Sequence, residues 1–451
     1  MRGLVPEQLD EQVARAIGAA FAQVVVRPEG AAGVVIGHDM RPSSPSLSQA
    51  FADGVAAHGI DVTLIGLCST DGLYYASGAL DLPGAMFTAS HNPAQYNGIK
   101  LCRSGARPVG QDSGLADIRD LAQQSLDEPH GAPAADVAPG TISERDTLAD
   151  YATFLRSLVD LSSNRPLKVV VDAGNGMAGH TAPAVFDGLD ASQVQLVPMY
   201  FELDGSFPHH EANPIEPANL RDLQAAVVAE GADVGLAFDG DADRCFLVDE
   251  RGAAVSPSAL TGLIADRELR RHPGATVIHN LITSRAVPEL VEELGGVPVR
   301  TRVGHSFIKA TMAHTDAVFG GEHSGHFYFR DFWRADSGML AALHALAALS
   351  ETDQPLSRLM ARYERYPMSG EINSVVADAS AVLAELRATY GGLAGVTLDE
   401  LDGLTVSHAD WTFNVRPSNT EPLLRLNVEG RDEATMTKVR DSVLATLRKD
   451  R

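Results

Sequence analysis

Three carboxylates stand at alternate positions in Asp239-Gly240-Asp241-Ala242-Asp243-Arg244, directly after the apolar run Val234-Gly235-Leu236-Ala237-Phe238. Two carboxylates about 4 Å apart repel by about 4 kcal/mol at an effective dielectric of 20. If all three converge, a hard cation is the simplest way to keep them ionised. An oxygen-only ligand set favours Mg2+ or Ca2+ over zinc. An EF-hand is the rival metal reading, because Glu250 falls twelfth from Asp239. Its sixth position, which should be glycine, is Arg244, and Cys245-Phe246-Leu247-Val248 reads as a strand. A solvated acidic turn is the plainest competitor.

A second loop, Thr88-Ala89-Ser90-His91-Asn92-Pro93, is followed by Asn97-Gly98-Ile99-Lys100. A serine in a tight loop after a strand can be a nucleophile or a phosphate carrier, although this is not the GxSxG elbow of hydrolases. By itself such a serine is more often a turn or cap residue. His91 and Lys100 favour chemistry, since both can neutralise a phosphate or exchange protons with it. A third loop, Gly320 to His326, carries Glu322, Ser324 and His326, which can bind sugar hydroxyls; His323 and His326 make only a weak metal pair. His305 reads as a satisfied loop histidine. A fourth, Arg416-Pro417-Ser418-Asn419-Thr420-Glu421-Pro422, gathers a guanidinium fork and short donors into a compact anion cradle, or a Ser/Asn turn.

These loops need a scaffold, and the chain supplies one three times over. Gly33–Asp39 and Ala85–Phe87, Lys168–Val171 and Asp233–Phe238, and Ala275–Asn280 and Ala317–Phe319 are pairs of apolar β-rich runs entering polar or Gly-rich loops, with helical patterns between them. Such alternation predicts α/β domains with mainly parallel sheets, whose sites lie beyond the carboxyl ends of the strands. Three such loops are therefore expected to face one central cleft. The last segment differs and reads as a smaller α+β domain, with a strand at Gly370–Val376 and helices at Ala379–Tyr390 and Glu433–Arg448. The expected domains are 1–140 with the serine loop, 141–250 with the acidic loop, 251–362 with the sugar loop and 363–451 with the anion cradle.

The 451 residues, 45% hydrophobic and 21% charged, suit several cores. The net charge of -23 argues against nucleic acid and against anionic membranes. No apolar run is long enough to span a bilayer, and the start lacks the apolar core of a signal peptide. Cys68, Cys102 and Cys245 are far apart without a CxxC, so a reducing cytoplasm is expected.

In order along nearly the whole chain, TASHNP with Asn97-Gly98-Ile99-Lys100, DGDADR, GGEHSGH and RPSNTEP resemble the motifs of the α-D-phosphohexomutases, most closely the bacterial phosphomannomutase/phosphoglucomutase branch. The resemblance implies three related α/β domains and a smaller fourth around a cleft. It implies a mutase that interconverts hexose 1-phosphate and hexose 6-phosphate through a phosphoserine and a 1,6-bisphosphate, which also serves as activator. Ser90 would carry the phosphate and complete a Mg2+ site made by Asp239, Asp241 and Asp243. His91 and Lys100 would lie near it, with Lys100 the acid/base; Arg244 would help hold the phosphate in transfer, and Arg2 matches the family arginine near the phosphoserine. Glu322 and Ser324 would grip sugar hydroxyls, with His305 and His326 near the substrate. Arg416, Ser418, Asn419 and Thr420 would anchor the phosphate that is not reacting.

Two features depart from the family pattern. Arg2-Gly3 follows Met1 without the usual leading strand, which suggests a late start, and Leu281 stands near a family lysine that Arg285 would replace. His323 and the VGHSFIK stretch point to mannose phosphate, with glucose phosphate second; phosphoglucosamine mutases generally have Gln at that place. A sugar-phosphate sensor would bind without turnover, and a phosphatase would release inorganic phosphate. The sequence leaves the oligomeric state open.

Overall fold

The computed structural model describes residues 1–127, 137–161, 165–187, 189, 193–417 and 423–449. Ser418, Asn419 and Thr420 of the expected cradle lie outside the described residues. The chain forms two compact units, 1–255 with 324–359, and 256–323 with 360–451.

The first unit holds two sheets. In the first sheet, β1 (Arg2–Leu4), β2 (Gly33–His38), β3 (Asp61–Leu67), β4 (Gly84–Phe87), β5 (Tyr96–Arg103), β6 (Arg107–Pro108) and β7 (Ile142–Glu144) lie in the order β1-β5-β4-β2-β3-β7, with β6 beside β5. The strands β2, β3, β4 and β7 run parallel, while β5 and β1 are antiparallel. Strand β2 is buried on both faces, as its unbroken apolar run requires. Val34 and Ile36 enter the core under helices Glu11–Phe21 and Ser44–Ala56, and Val35 enters the one with Leu73, Ala76 and Met86.

The second sheet takes β8 (Leu167–Asp172), β9 (Val194–Met199), β10 (Val234–Phe238), β11 (Cys245–Asp249) and β12 (Ala254–Val255) in the order β12-β11-β10-β8-β9. Here β9, β8 and β10 are parallel, and β11 and β12 turn back antiparallel. In both sheets the key loop therefore joins the carboxyl end of a parallel strand to an antiparallel neighbour: Thr88–Gln95 between β4 and β5, and Asp239–Arg244 between β10 and β11. Each sheet is parallel from its centre to one edge, β7 or β9, and turns antiparallel toward the other. Residues 324–359 add the antiparallel pair of Phe327–Phe329 and Ala335–Asp336, and the apolar helix Gly338–Ser350.

In the second unit, strand Thr276–Asn280 lies parallel to Val297–Thr301 and to Phe319–Gly321. The C-terminal strands Met368–Val375, Thr397–Asp399, Leu404–His408, Trp411–Pro417 and Leu423–Gly430 form an antiparallel sheet. Its alternate residues Leu404, Val406, Phe413, Val415, Leu424, Leu426 and Val428 share one core with helices Ala379–Tyr390 and Glu433–Leu447. His305 is not in a loop, because it begins helix His305–Thr315 after Gly304, whose φ of 132° a side chain would not tolerate. Cys68, Cys102 and Cys245 are buried free thiols. Among the described residues, no helix is long and apolar enough to cross a membrane.

Candidate active site

Ser90 sits where β4 runs out, and the backbone turns left-handed there, with φ of 52°. That conformation is costly for a residue with a Cβ, and the surroundings hold it in place. The Ser90 N–H donates to Thr88 Oγ1 at 2.8 Å. The fully buried Arg41 donates to the carbonyls of Ser90 (2.9 Å), Asn92 (2.7 Å), Pro93 (2.9 Å) and Tyr96 (3.0 Å). Asp39 fixes that guanidinium at 3.2 Å through Nε. Five donors in a rigid fork suit the task, where a lysine would not. Gly240 of the acidic loop packs on the Ser90 carbonyl so closely that any Cβ would strike it.

The acidic loop meets Ser90 from the second sheet. Ser90 Oγ donates to Asp239 Oδ2 at 2.7 Å and lies 3.1 Å from His91 Nδ1. Arg244 Nε donates to the same Asp239 oxygen at 2.9 Å, and its Nη2 contacts His91 Nδ1. Lys100 Nζ reaches across from β5 and donates to Asp241 Oδ2 and Asp243 Oδ2, both at 2.6 Å. Arg2, on β1 opposite Gly98, donates to Asn92 Oδ1 at 2.9 Å. Ser324 Oγ lies 2.9 Å from His326 Nδ1, and His326 Nε2 lies 3.5 Å from Asp243 Oδ1. His326 and Ser324 are thus carried on to the acidic loop itself, where Arg244 and His326 form an isolated β-bridge.

Electrostatics follow from burial. Asp239, Asp241 and Asp243 are all buried, and one ligand oxygen from each lies within 4.8 Å of the others. Burial pushes Asp239 up to about 7, against the pull of Arg244. Burial works against the Lys100 ammonium, yet Asp241 and Asp243 outweigh it and hold the charge. His91 is pushed down to about 3, first by burial and then by Arg244 and Arg2, so its imidazole is neutral. Among the described residues, three buried carboxylates pair with the two cations Lys100 and Arg244, and Asp241 Oδ1 is buried without a hydrogen-bond partner. Surplus negative charge with an orphaned oxygen is what a divalent cation would relieve, so the acidic triad can hold a metal ion.

The remaining expected residues belong to the second unit. Glu322 is buried and accepts from Asn280 Nδ2 at 3.0 Å and from Gly304 N at 3.3 Å. His323 Nδ1 lies 3.0 Å from Ser258 Oγ, and burial pushes the ring down to about 4. Arg416 Nη2 donates to Glu371 Oε2 at 2.8 Å. Arg285, in the place considered for the family lysine, pairs with Glu429 and covers the Tyr366 ring at 3.9 Å. Arg41 escaped the sequence reading. The only signal for it was its place two residues beyond Asp39, at the carboxyl end of a parallel strand.

Four family models match in order. They are the phosphoglucomutase/phosphomannomutase alpha/beta/alpha domains I (1–127), II (149–252) and III (256–366), and the C-terminal domain (371–446). A protein of Xanthomonas campestris pv. campestris described as "Phosphohexose mutases" is 42% identical over 449 residues, 99% of this chain and 97% of that protein. A phosphomannomutase of Salmonella typhimurium is 40% identical over 451 residues, again 99% and 97% of the two chains. A crystal structure of a phosphoglucomutase/phosphomannomutase family protein from Burkholderia thailandensis superposes with a TM-score of 0.87 at 33% identity, covering 100% of this chain and 96% of that one. With the serine and acidic loops joined as described, the chain belongs to the α-D-phosphohexomutase family, on its bacterial phosphomannomutase/phosphoglucomutase branch.

Proposed function

We propose that this hexose phosphate mutase works through a phosphoserine at Ser90 and a hexose 1,6-bisphosphate intermediate, with mannose phosphate as preferred substrate and glucose phosphate as second. The observation behind this reading is the 2.7 Å hydrogen bond from Ser90 Oγ to Asp239 Oδ2 inside a buried triad of carboxylates. The relatives of Salmonella and Escherichia coli bear the name phosphomannomutase, which supports mannose.

In the first half-reaction a free hydroxyl of the sugar monophosphate forms a new bond to the phosphorus, and the bond to Ser90 Oγ breaks. The attacking hydroxyl gives up its proton, and the leaving Ser90 oxygen takes one. Lys100, which reaches the triad from the serine-loop sheet, would serve as the acid/base, and His91, 3.1 Å from Ser90 Oγ, lies beside the group in transfer. Arg244 and Arg2 supply positive charge beside the transferring group. Asp239, Asp241 and Asp243 would hold Mg2+, which supplies further charge neutralisation when bound. The bisphosphate then turns over, and its other phosphate returns to Ser90. Glu322, Ser324, His305 and His326 would contact the sugar, and Arg416 with Ser418, Asn419 and Thr420 would anchor the distal phosphate. The reading includes a hexose 1,6-bisphosphate activator, a cytoplasmic setting and the division 1–140, 141–250, 251–362 and 363–451.

The test is isomerisation of mannose 1-phosphate, glucose 1-phosphate and glucosamine 6-phosphate, with Mg2+ and glucose 1,6-bisphosphate, by the enzyme and its Ser90→Ala variant. Turnover of the first two, lost in the variant, is expected. Preference for the glucosamine phosphate would overturn the substrate and keep the mechanism. Full turnover by Ser90→Ala would overturn the phosphoserine.

A further inference from the structure

We propose that Thr70 is a positioning residue for the acidic triad, holding Asp241 and Lys100 in the arrangement that phosphoryl transfer uses. Thr70 is the first residue of helix Thr70–Leu80 and is fully buried. It lies 171 residues from its partner Asp241 in the chain. Its hydroxyl donates to Asp241 Oδ2 at 2.6 Å, and its backbone N–H donates to the Asp241 carbonyl at 3.0 Å. Its oxygen accepts from Lys100 Nζ at 3.3 Å, and Lys100 donates to the same Asp241 Oδ2 at 2.6 Å. One hydroxyl therefore bridges the lysine and the carboxylate. Both donors engage Oδ2, and the buried Oδ1 of Asp241 is left without a hydrogen-bond partner among the described residues. A carboxylate pinned through one oxygen keeps the other available to a cation, and partners of this kind orient ligands that they do not themselves replace.

Thr70 is itself held. The adjacent Asp71 is fully buried and accepts from Ser69, from Tyr151 Oη at 2.8 Å and from Ser337 Oγ at 2.6 Å. Ser69 caps the Thr70 helix by accepting from Gly72 N, and Ser337 caps helix Gly338–Ser350 by accepting from Leu340 N. Gly338 lies against the Ala242 and Arg244 carbonyls, where a Cβ would come within 2.9 and 2.7 Å. A single buried carboxylate thus ties the turn bearing Thr70 to the segment that backs the acidic loop.

The inference rests on the reading of the triad as a divalent-cation site, so its test compares Thr70→Val and Thr70→Ser with Asp241→Asn. The measurements are Mg2+ affinity by calorimetry, kcat and KM for mannose 1-phosphate at saturating Mg2+, and the melting temperature in EDTA. Thr70→Val is expected to weaken Mg2+ binding by about 10- to 100-fold and to lower kcat, with KM within about twofold and the melting temperature near that of the parent. Thr70→Ser, which keeps the hydroxyl, restores both. If Val prevents folding, Thr70→Ala reads the same loss of the hydroxyl. Parental Mg2+ affinity and kcat without the hydroxyl, with Asp241→Asn weakened, would overturn the role of Thr70 alone. Parental Mg2+ affinity in Asp241→Asn would overturn the cation site and this inference with it.

Discussion

Ser90 and Asp239 are 149 residues apart in the chain, and the Ser90 hydroxyl donates to Asp239 Oδ2 at 2.7 Å. Each stands in a loop that leaves the carboxyl end of a parallel strand, one from each sheet of the first unit. Arg244 shares the same Asp239 oxygen, so the serine, a carboxylate and a guanidinium form one buried hydrogen-bonded set. Burial pushes Asp239 up to about 7, which couples the state of the serine to the charge held by the triad.

Metal removal is the first consequence. Dialysis against EDTA is expected to reduce turnover by at least about 100-fold, and added Mg2+ to restore it, because the charge neutralisation that a bound cation would add to that of Arg244 and Arg2 is lost. Zn2+ is expected to restore less, as the triad offers oxygen ligands only. Steady-state rates before and after metal addition check this.

Arg41 is the organiser of the serine loop. Arg41→Met is expected to cost about 3–5 kcal/mol, since it leaves Asp39 charged and buried and frees the four carbonyls that the guanidinium ties together. Arg41→Lys keeps the charge but not the fork, and is expected to lose turnover. Urea unfolding gives the first quantity, and steady-state turnover rates give the second.

Glu429 carries a pH signature in the second unit. Its carboxylate lies 3.1 Å from Arg285, yet that approach is not aligned as a hydrogen bond, and burial outweighs it and pushes Glu429 up to about 7 from 4.5. The folded form binds the proton more tightly. Its contribution to stability is therefore fully present below pH 4.5 and is lost as pH rises through 7, a change of roughly 3 kcal/mol. Glu429→Gln removes this dependence. Denaturation of both proteins between pH 4 and 8 should show the parent losing stability relative to the variant as pH rises.

The sequence by itself determined which chemistry was on offer. Oxygen ligands at alternate positions, a serine with His91 and Lys100 nearby and strands bounded by polar loops are local facts, and local spacing preserves them whatever the rest of the chain does. Parallel cores were legible from the same runs, and the C-terminal α+β segment from its alternation. The antiparallel strands that close each sheet were less so, because an apolar run does not reveal the direction of its neighbour. Only the tertiary structure decided that Asp239 would meet Ser90, that Thr70 and Arg41 would stand behind them, that His326 would lie against Asp243, and that Lys100 would stay charged while His91 would not. Charge states and donor pairings depend on burial and on groups far away in the chain, and both arise only when the two sheets pack together.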